Sequence, residues 1–408
     1  MVEHSLTTPV PVRDRIVQWR PALVVAAIYV AARLVTTVFF LIAAELSGPT
    51  SRFGADATIG TLSMGWDAQW YWVVGTAGYP DHLPLDTSGH VTQNAWAFMP
   101  LYPAVSRALS AVFGGNYPLA AVVLAIVAGY LGCLVLFHLL RERIDVGSAF
   151  WAVALFAACP LAALFQMGYA ESLFLLWLFL ALWSLMRRRF VWLCVLIPLM
   201  GYTRPGVLAF ALLLAGYAIV RWFRRRSDAL PAVQIVHIVA LGLLAAAVGL
   251  SWQFIAGFVT GDPSAYMQTE LSWRRGWIGD GGFAPFDGFI QATALWFHLW
   301  GLPEILGYVA LAAAAIGLAA PLMFEPHVRR VGIEVRLWSA SYLLYLLLVF
   351  FPQSSIFRLL LPLAPLYGAL ALPRHPLWRW TLLGLGLTGQ WWWIYQMLAI
   401  GNTYTQIP

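Results

Sequence analysis

The stretch Gly65-Trp66-Asp67-Ala68-Gln69-Trp70-Tyr71-Trp72 places one carboxylate, Asp67, among three tryptophans and a tyrosine. It runs on through Gly78-Tyr79-Pro80 and is answered by Ala97-Phe98-Met99-Pro100-Leu101-Tyr102-Pro103. A charge beside an aromatic surface at a bilayer face is costly, which makes it a functional candidate. The chemistry open to it is general-base catalysis, taking the proton of a hydroxyl as that oxygen attacks. Aromatic faces of the kind around it serve in sugar-binding clefts. The alternative is an N-cap, since Asp is a favoured residue at a helix start. On a helix, Asp67, Trp70, Tyr71 and Val74 share one face at i, i+3, i+4 and i+7. That spacing predicts a short amphipathic helix lying at the interface, its acid toward a cleft.

Other residues could complete such a site. Glu171, in Gly168-Tyr169-Ala170-Glu171-Ser172, heads an apolar run, where a carboxylate also favours a helix N-terminus. Arg204, in Thr203-Arg204-Pro205-Gly206, and Arg358, in Ser355-Ile356-Phe357-Arg358, stand at the ends of apolar runs. A guanidinium binds phosphate with two parallel bonds, so both are candidate phosphate ligands. Snorkelling to lipid head groups, or pairing with Glu171, is the alternative. Arg274 and Arg275, flanked by Trp273 and Trp277, are further candidates for substrate contact. Asp81 and Asp86 lie among Pro80, Pro84 and Gly89 and read as turn residues. Arg33, inside an apolar run with no acid at i±4, is expected to meet another helix or a backbone carbonyl. His82 and His90 share a loop with several acids but show no metal-ligand spacing.

The elements that hold these residues are apolar. The 408 residues are 61% hydrophobic and 10% charged, with a mean hydropathy of +0.76, which excludes a soluble domain and defines an all-α polytopic membrane protein. The net charge of +6 comes from 24 arginines and no lysine. No basic stripe with interleaved aromatics accompanies it, so no nucleic-acid partner is expected. Cys133, Cys159 and Cys194 sit inside apolar runs and read as buried free thiols.

Apolar runs near 22–44, 118–140, 147–163, 170–186, 190–203, 205–220, 233–258, 302–324, 337–351, 357–372 and 380–400 give about eleven transmembrane helices in one integral membrane domain, 1–408. Residues 1–21 read as a cytoplasmic tail. With the N-terminus inside, seventeen arginines fall on the inner side, six on the outer side and Arg33 within the first span, as the positive-inside rule requires. Residues 45–117 and 259–301 are then two long outer loops. Long ordered loops on one side usually carry function.

The order W-D-x-x-W-Y, G-Y-P, A-F-x-P-L-Y-P and then Gly168-Tyr169-Ala170-Glu171-Ser172 resembles the PIG-V-like mannosyltransferases, the GPI mannosyltransferase II family, through about Pro205. That family belongs to the GT-C class of glycosyltransferases. The resemblance implies a GT-C-like helical bundle with interfacial helices in the first outer loop. It implies glycosyl transfer, with mannose as the sugar, from a polyprenyl-phosphate donor to a hydroxyl of a glycolipid or other acceptor at the outer face, with inversion. Asp67 then acts as base, Arg358 and Arg204 hold the donor phosphate, and Trp66, Trp70, Tyr71, Tyr169, Glu171, Ser172, Arg274 and Arg275 contact substrate. A monophosphate leaving group calls for neither metal nor cofactor. The partners implied are the lipid-linked donor, the lipid or glycan acceptor and membrane lipids. A non-catalytic membrane subunit or lipid-binding scaffold is the competing class. A transporter fits less well, because the spans are nearly free of charge.

Overall fold

In hydrocarbon, backbone polar groups have to be bonded within their own segment, so long apolar runs fold as helices. The computed structural model describes residues 12–408. In chain order the helices are α1 (Val12–Glu45), α2 (Ile59–Ser63), α3 (Asp67–Ala77), α4 (Leu101–Ser110), α5 (Tyr117–Arg141), α6 (Val146–Ala157), α7 (Glu171–Met186), α8 (Phe190–Gly201) and α9 (Val207–Phe223). They continue with α10 (Ala232–Thr260), α11 (Ala265–Ile278), α12 (Asp287–Leu299), α13 (Glu304–Phe324), α14 (Pro326–Arg330), α15 (Ile333–Val349), α16 (Ile356–Leu359), α17 (Tyr367–Ala371) and α18 (Pro376–Ile394). No strand forms among the described residues beyond one bridge, Leu85 with Val91. Pro21–Glu45 of α1, together with α5, α10 and α13, are long and apolar enough to cross a membrane, and α6 to α9 are shorter apolar helices. The protein is all-α, as its composition requires.

Several expected boundaries move, each for a local reason. Of the expected tail, residues 1–11 lie outside the described residues, whereas the backbone is already helical from Val12, because 12–20 contain neither Gly nor Pro. The run 147–163 stops at Ala157, since Pro160 cannot continue a helix. The run 357–372 breaks into α16, a 3₁₀ segment Leu361–Leu366 that holds Pro362 and Pro365, and α17. Cys133 and Cys159 are buried, but Cys194 is exposed. It shares its helix with exposed Val191, Trp192 and Val195, an apolar face suited to lipid.

Arg33 caps the C-terminal end of α6. Its Nη2 donates to the Ala157 carbonyl at 2.6 Å and its Nη1 donates to the Ala162 carbonyl, supplying donors that the broken helix lacks. Tyr29 and Phe165 flank the guanidinium at 5.1 and 5.3 Å.

The loops sort into two ends of the bundle. At one end Arg187 meets Glu142 (2.8 Å), Arg188 meets Asp228 (2.7 Å) and Arg143 meets Glu334 (3.4 Å). At the other, the Arg52 amide donates to the Ile400 carbonyl (2.9 Å), His90 meets Asp280 (3.2 Å) and Arg275 donates to the Val91 carbonyl (2.7 Å). Segments expected on one side of the membrane therefore touch each other, and none of these contacts mixes the two sets.

Candidate active site

Trp66 fixes where α3 begins. It takes φ 55° and ψ −125°, an outlying conformation for a bulky side chain. Arg52 lies 3.9 Å from its ring centroid, and its indole N–H donates to the Met397 carbonyl at 2.9 Å. Backbone strain of this kind costs on the order of 1–3 kcal/mol and clusters at functional sites. Asp67 follows as the first residue of the helix. Trp66 occupies the cap position with no side-chain cap, so the N-cap alternative for Asp67 falls.

The Asp67 carboxylate instead meets Arg358 of α16, Nη1 to Oδ2, at 2.5 Å. Arg358 Nε faces Glu171 Oε1 at 3.5 Å, and Glu171 Oε1 also meets Arg204 Nη1 at 2.6 Å. Asp67, Arg358, Glu171 and Arg204 thus form a row alternating in sign, with side chains 24%, 12%, 2% and 13% exposed. Sparse exposure makes each partner necessary, because a buried charge that loses its partner is strongly destabilising. Hydrogen-bonding capacity remains within the row. Arg358 Nε, Glu171 Oε2 and Ser172 Oγ are buried and have no hydrogen-bond partner among the described residues. Buried polar atoms left open in this way are uncommon and fit a polar ligand.

Backbone devices bring the row together. A Cβ on Gly168 would lie 2.6 Å from Met64 Sδ and 3.3 Å from Ala68 Cβ, so glycine lets this segment pack closely where α2 ends and α3 begins. Its amide donates to the Ser63 carbonyl at 2.9 Å, and the Asp67 amide donates to the Tyr169 hydroxyl at 3.3 Å. The Tyr169 ring lies under Arg358, 5.5 Å from the guanidinium. Gly206, at φ 131°, turns the chain after Arg204-Pro205 into α9.

The two halves of the first motif meet ring to ring. Trp70 stacks on Phe98 at 5.7 Å, and Tyr71 stands edge-on to Phe98 and Tyr102, each at 5.2 Å. The Tyr117 hydroxyl donates to the Tyr71 carbonyl at 2.8 Å. Trp70 is half-buried, whereas Tyr71 and Tyr169 are buried and act as supports rather than open faces. Trp66 is likewise occupied, by Arg52 and Met397.

Other expected residues stand apart. Arg274 donates to the Gly282 carbonyl at 3.1 Å, and Arg275 meets Asp280 at 2.6 Å, so both pin the chain that follows α11 instead of joining the row. Asp81 is exposed. Asp86 accepts the amides of Ser88 and His90 at 2.8 and 2.9 Å, a turn motif in which the His90 amide holds its carboxyl below the usual range. Among the described residues no group of three His, Cys, Asp or Glu side chains could hold a metal.

One acid absent from the sequence-based candidates belongs here. Glu270 of α11 lies close enough to Asp67 to feel its charge. Burial, and then Asp67, push its carboxyl up to about 7 against a hydrogen bond from Tyr266.

No family model and no curated protein matches the chain. Among solved structures it is similar to ArnT from Cupriavidus metallidurans bound to undecaprenyl phosphate, at 16% identity and a TM-score of 0.47, over 88% of this chain and 62% of that one. It is also similar to the Archaeoglobus fulgidus oligosaccharyltransferase tethered with an acceptor peptide, at 14% identity and a TM-score of 0.40, over 92% of this chain and 56% of that one. The chain thus spans less than two thirds of either protein. At such likeness the chemistry has to be read from this chain's own residues.

Proposed function

We propose that the protein is a membrane glycosyltransferase that moves a sugar from a polyprenyl-phosphate donor to a hydroxyl of a glycolipid or glycan acceptor at the outer face. The row Asp67, Arg358, Glu171, Arg204 carries this reading: it pairs a candidate base with two guanidinium groups at one end of an apolar bundle. Mannose is the sugar suggested by the motif resemblance. The acceptor oxygen bonds to the anomeric carbon as its proton passes to Asp67, while the carbon–oxygen bond to phosphate breaks with inversion. The electron pair stays on the departing polyprenyl phosphate, where Arg358 and Arg204 offset the growing negative charge. Glu171 holds both arginines in place. The arginine distribution supports a cytoplasmic N-terminus and a site on the outer side.

Purified protein incubated with radiolabelled polyprenyl-phosphate sugars and a membrane lipid extract tests the reading; labelled acceptor lipid is the expected product. The Asp67–Arg358 contact also favours a second reading, a lipid-binding scaffold in which this ion pair is purely structural. On that reading the protein binds polyprenyl phosphate but transfers nothing.

A further inference from the structure

The face of α11 turned toward the first outer loop carries Tyr266, Thr269, Glu270 and Trp273, at i, i+3, i+4 and i+7. Thr269 Oγ1 accepts from Asn94 Nδ2 at 2.9 Å, and the Trp273 ring packs edge-on against Trp70 at 6.0 Å and Phe98 at 6.2 Å. Trp70 is one turn beyond Asp67 on α3, and Trp273 is one turn beyond Glu270 on α11. The ring contact therefore brings together the helix faces that carry the two carboxyl groups, one on each long loop.

Glu270 differs from the acids of the row. Asp67 and Glu171 each meet an arginine, but no cation is among the groups acting on Glu270. Its neighbours are Asp67 from α3, Tyr345 from α15 and Tyr266 from its own helix. The adjoining end of α10 and the turn at 95–97 bring no titratable group. The site is thus polarised. The arginine end suits an anion, while the Glu270 end offers a carboxyl acceptor beside the half-buried rings of Trp70 and Trp273. A carboxylate that accepts hydroxyl hydrogen bonds beside an aromatic face is chemistry that recognises a polyhydroxylated ring.

We propose that Glu270 is the acceptor-binding residue: it holds ring hydroxyls of a carbohydrate acceptor beside Asp67, with Trp70 and Trp273 against the ring. The inference rests on the glycosyltransferase reading for its reaction, but not for its binding site. A carbohydrate group, rather than a peptide side chain, is then the class of acceptor.

The test uses full-length protein in lipid nanodiscs, titrated with octyl mannoside below its micelle concentration and separately with undecaprenyl phosphate. For Glu270→Gln the expected result is glycoside binding weakened about tenfold or more, the scale of a lost charged hydrogen bond, with phosphate binding unchanged. In wild-type protein, glycoside affinity should also fall as pH drops through about 7, where Glu270 takes up its proton, and Glu270→Gln should abolish that dependence. Glu270→Asp, which keeps the charge, should retain part of the affinity. Unchanged glycoside binding in Glu270→Gln overturns the proposal, as does equal weakening of both probes, which marks a structural role. If wild-type protein binds the phosphate but no glycoside, this inference fails and the donor reading stands. If Glu270-dependent glycoside binding occurs without phosphate binding, the donor reading fails and this inference stands.

Discussion

Replacing Asp67 by Asn should tighten lipid-phosphate binding while slowing turnover. In the structure Arg358 is already occupied by Asp67 at 2.5 Å, so an incoming phosphate has to displace the carboxylate. A hydrogen bond to a charged group contributes about 1.5–3 kcal/mol and a neutral one about 0.5–1.5 kcal/mol. Asn keeps a neutral bond, so the competitor weakens by about 1–1.5 kcal/mol, or about tenfold in phosphate affinity. Loss of the base at the same time slows transfer by about 10²–10⁴-fold. The two effects have opposite signs, which separates them from misfolding, since misfolding weakens both. The assay pairs titration of undecaprenyl phosphate into protein in nanodiscs with turnover of a labelled donor. Equal or weaker phosphate binding by Asp67→Asn would refute the idea that Arg358 is shared between base and donor.

Arg358→Lys keeps the charge but not the two-pronged contact, so donor KM or kcat should worsen by about tenfold or more; unchanged donor kinetics in folded Arg358→Ala would return the residue to a structural role. Cysteine labelling in a cysteine-free background should reach positions 67 and 277 from outside and 188 and 225 from inside, and labelling of position 67 only from the cytoplasm would reverse the topology. Arg33→Met leaves the Ala157 and Ala162 carbonyls without their donor. It should cost about 1–3 kcal/mol, read as a lower Tm, whereas an unchanged Tm would mean the cap contributes nothing.

Much of the site could be read from the sequence, one residue at a time. Arg204 and Arg358 are legible as guanidinium groups at the ends of apolar runs, and the acids that meet them are Glu171 and Asp67. Their assembly into one row was not visible, since it depends on close approaches such as Gly168 against Met64. Glu270 was missed because α11 is polar and carries no recognised motif. A signal existed: Glu270 precedes Trp273 by three residues, the same spacing as Asp67 before Trp70. Aromatic residues near the acid were expected to be open faces, but Tyr71 and Tyr169 proved to be buried supports, and sequence alone does not distinguish the two uses. Apolar content overstated the length of the runs at 147–163 and 357–372, where Pro160, Pro362 and Pro365 interrupt the hydrogen-bond ladder.

The most direct test of the central claim is sugar transfer itself, measured for wild-type protein and Asp67→Asn with labelled polyprenyl-phosphate sugars and acceptor lipid. On this mechanism wild-type protein transfers the sugar with inversion at the anomeric carbon, and Asp67→Asn nearly loses transfer while binding the lipid phosphate more tightly. Wild-type protein that binds polyprenyl phosphate but transfers no sugar from any donor would contradict it.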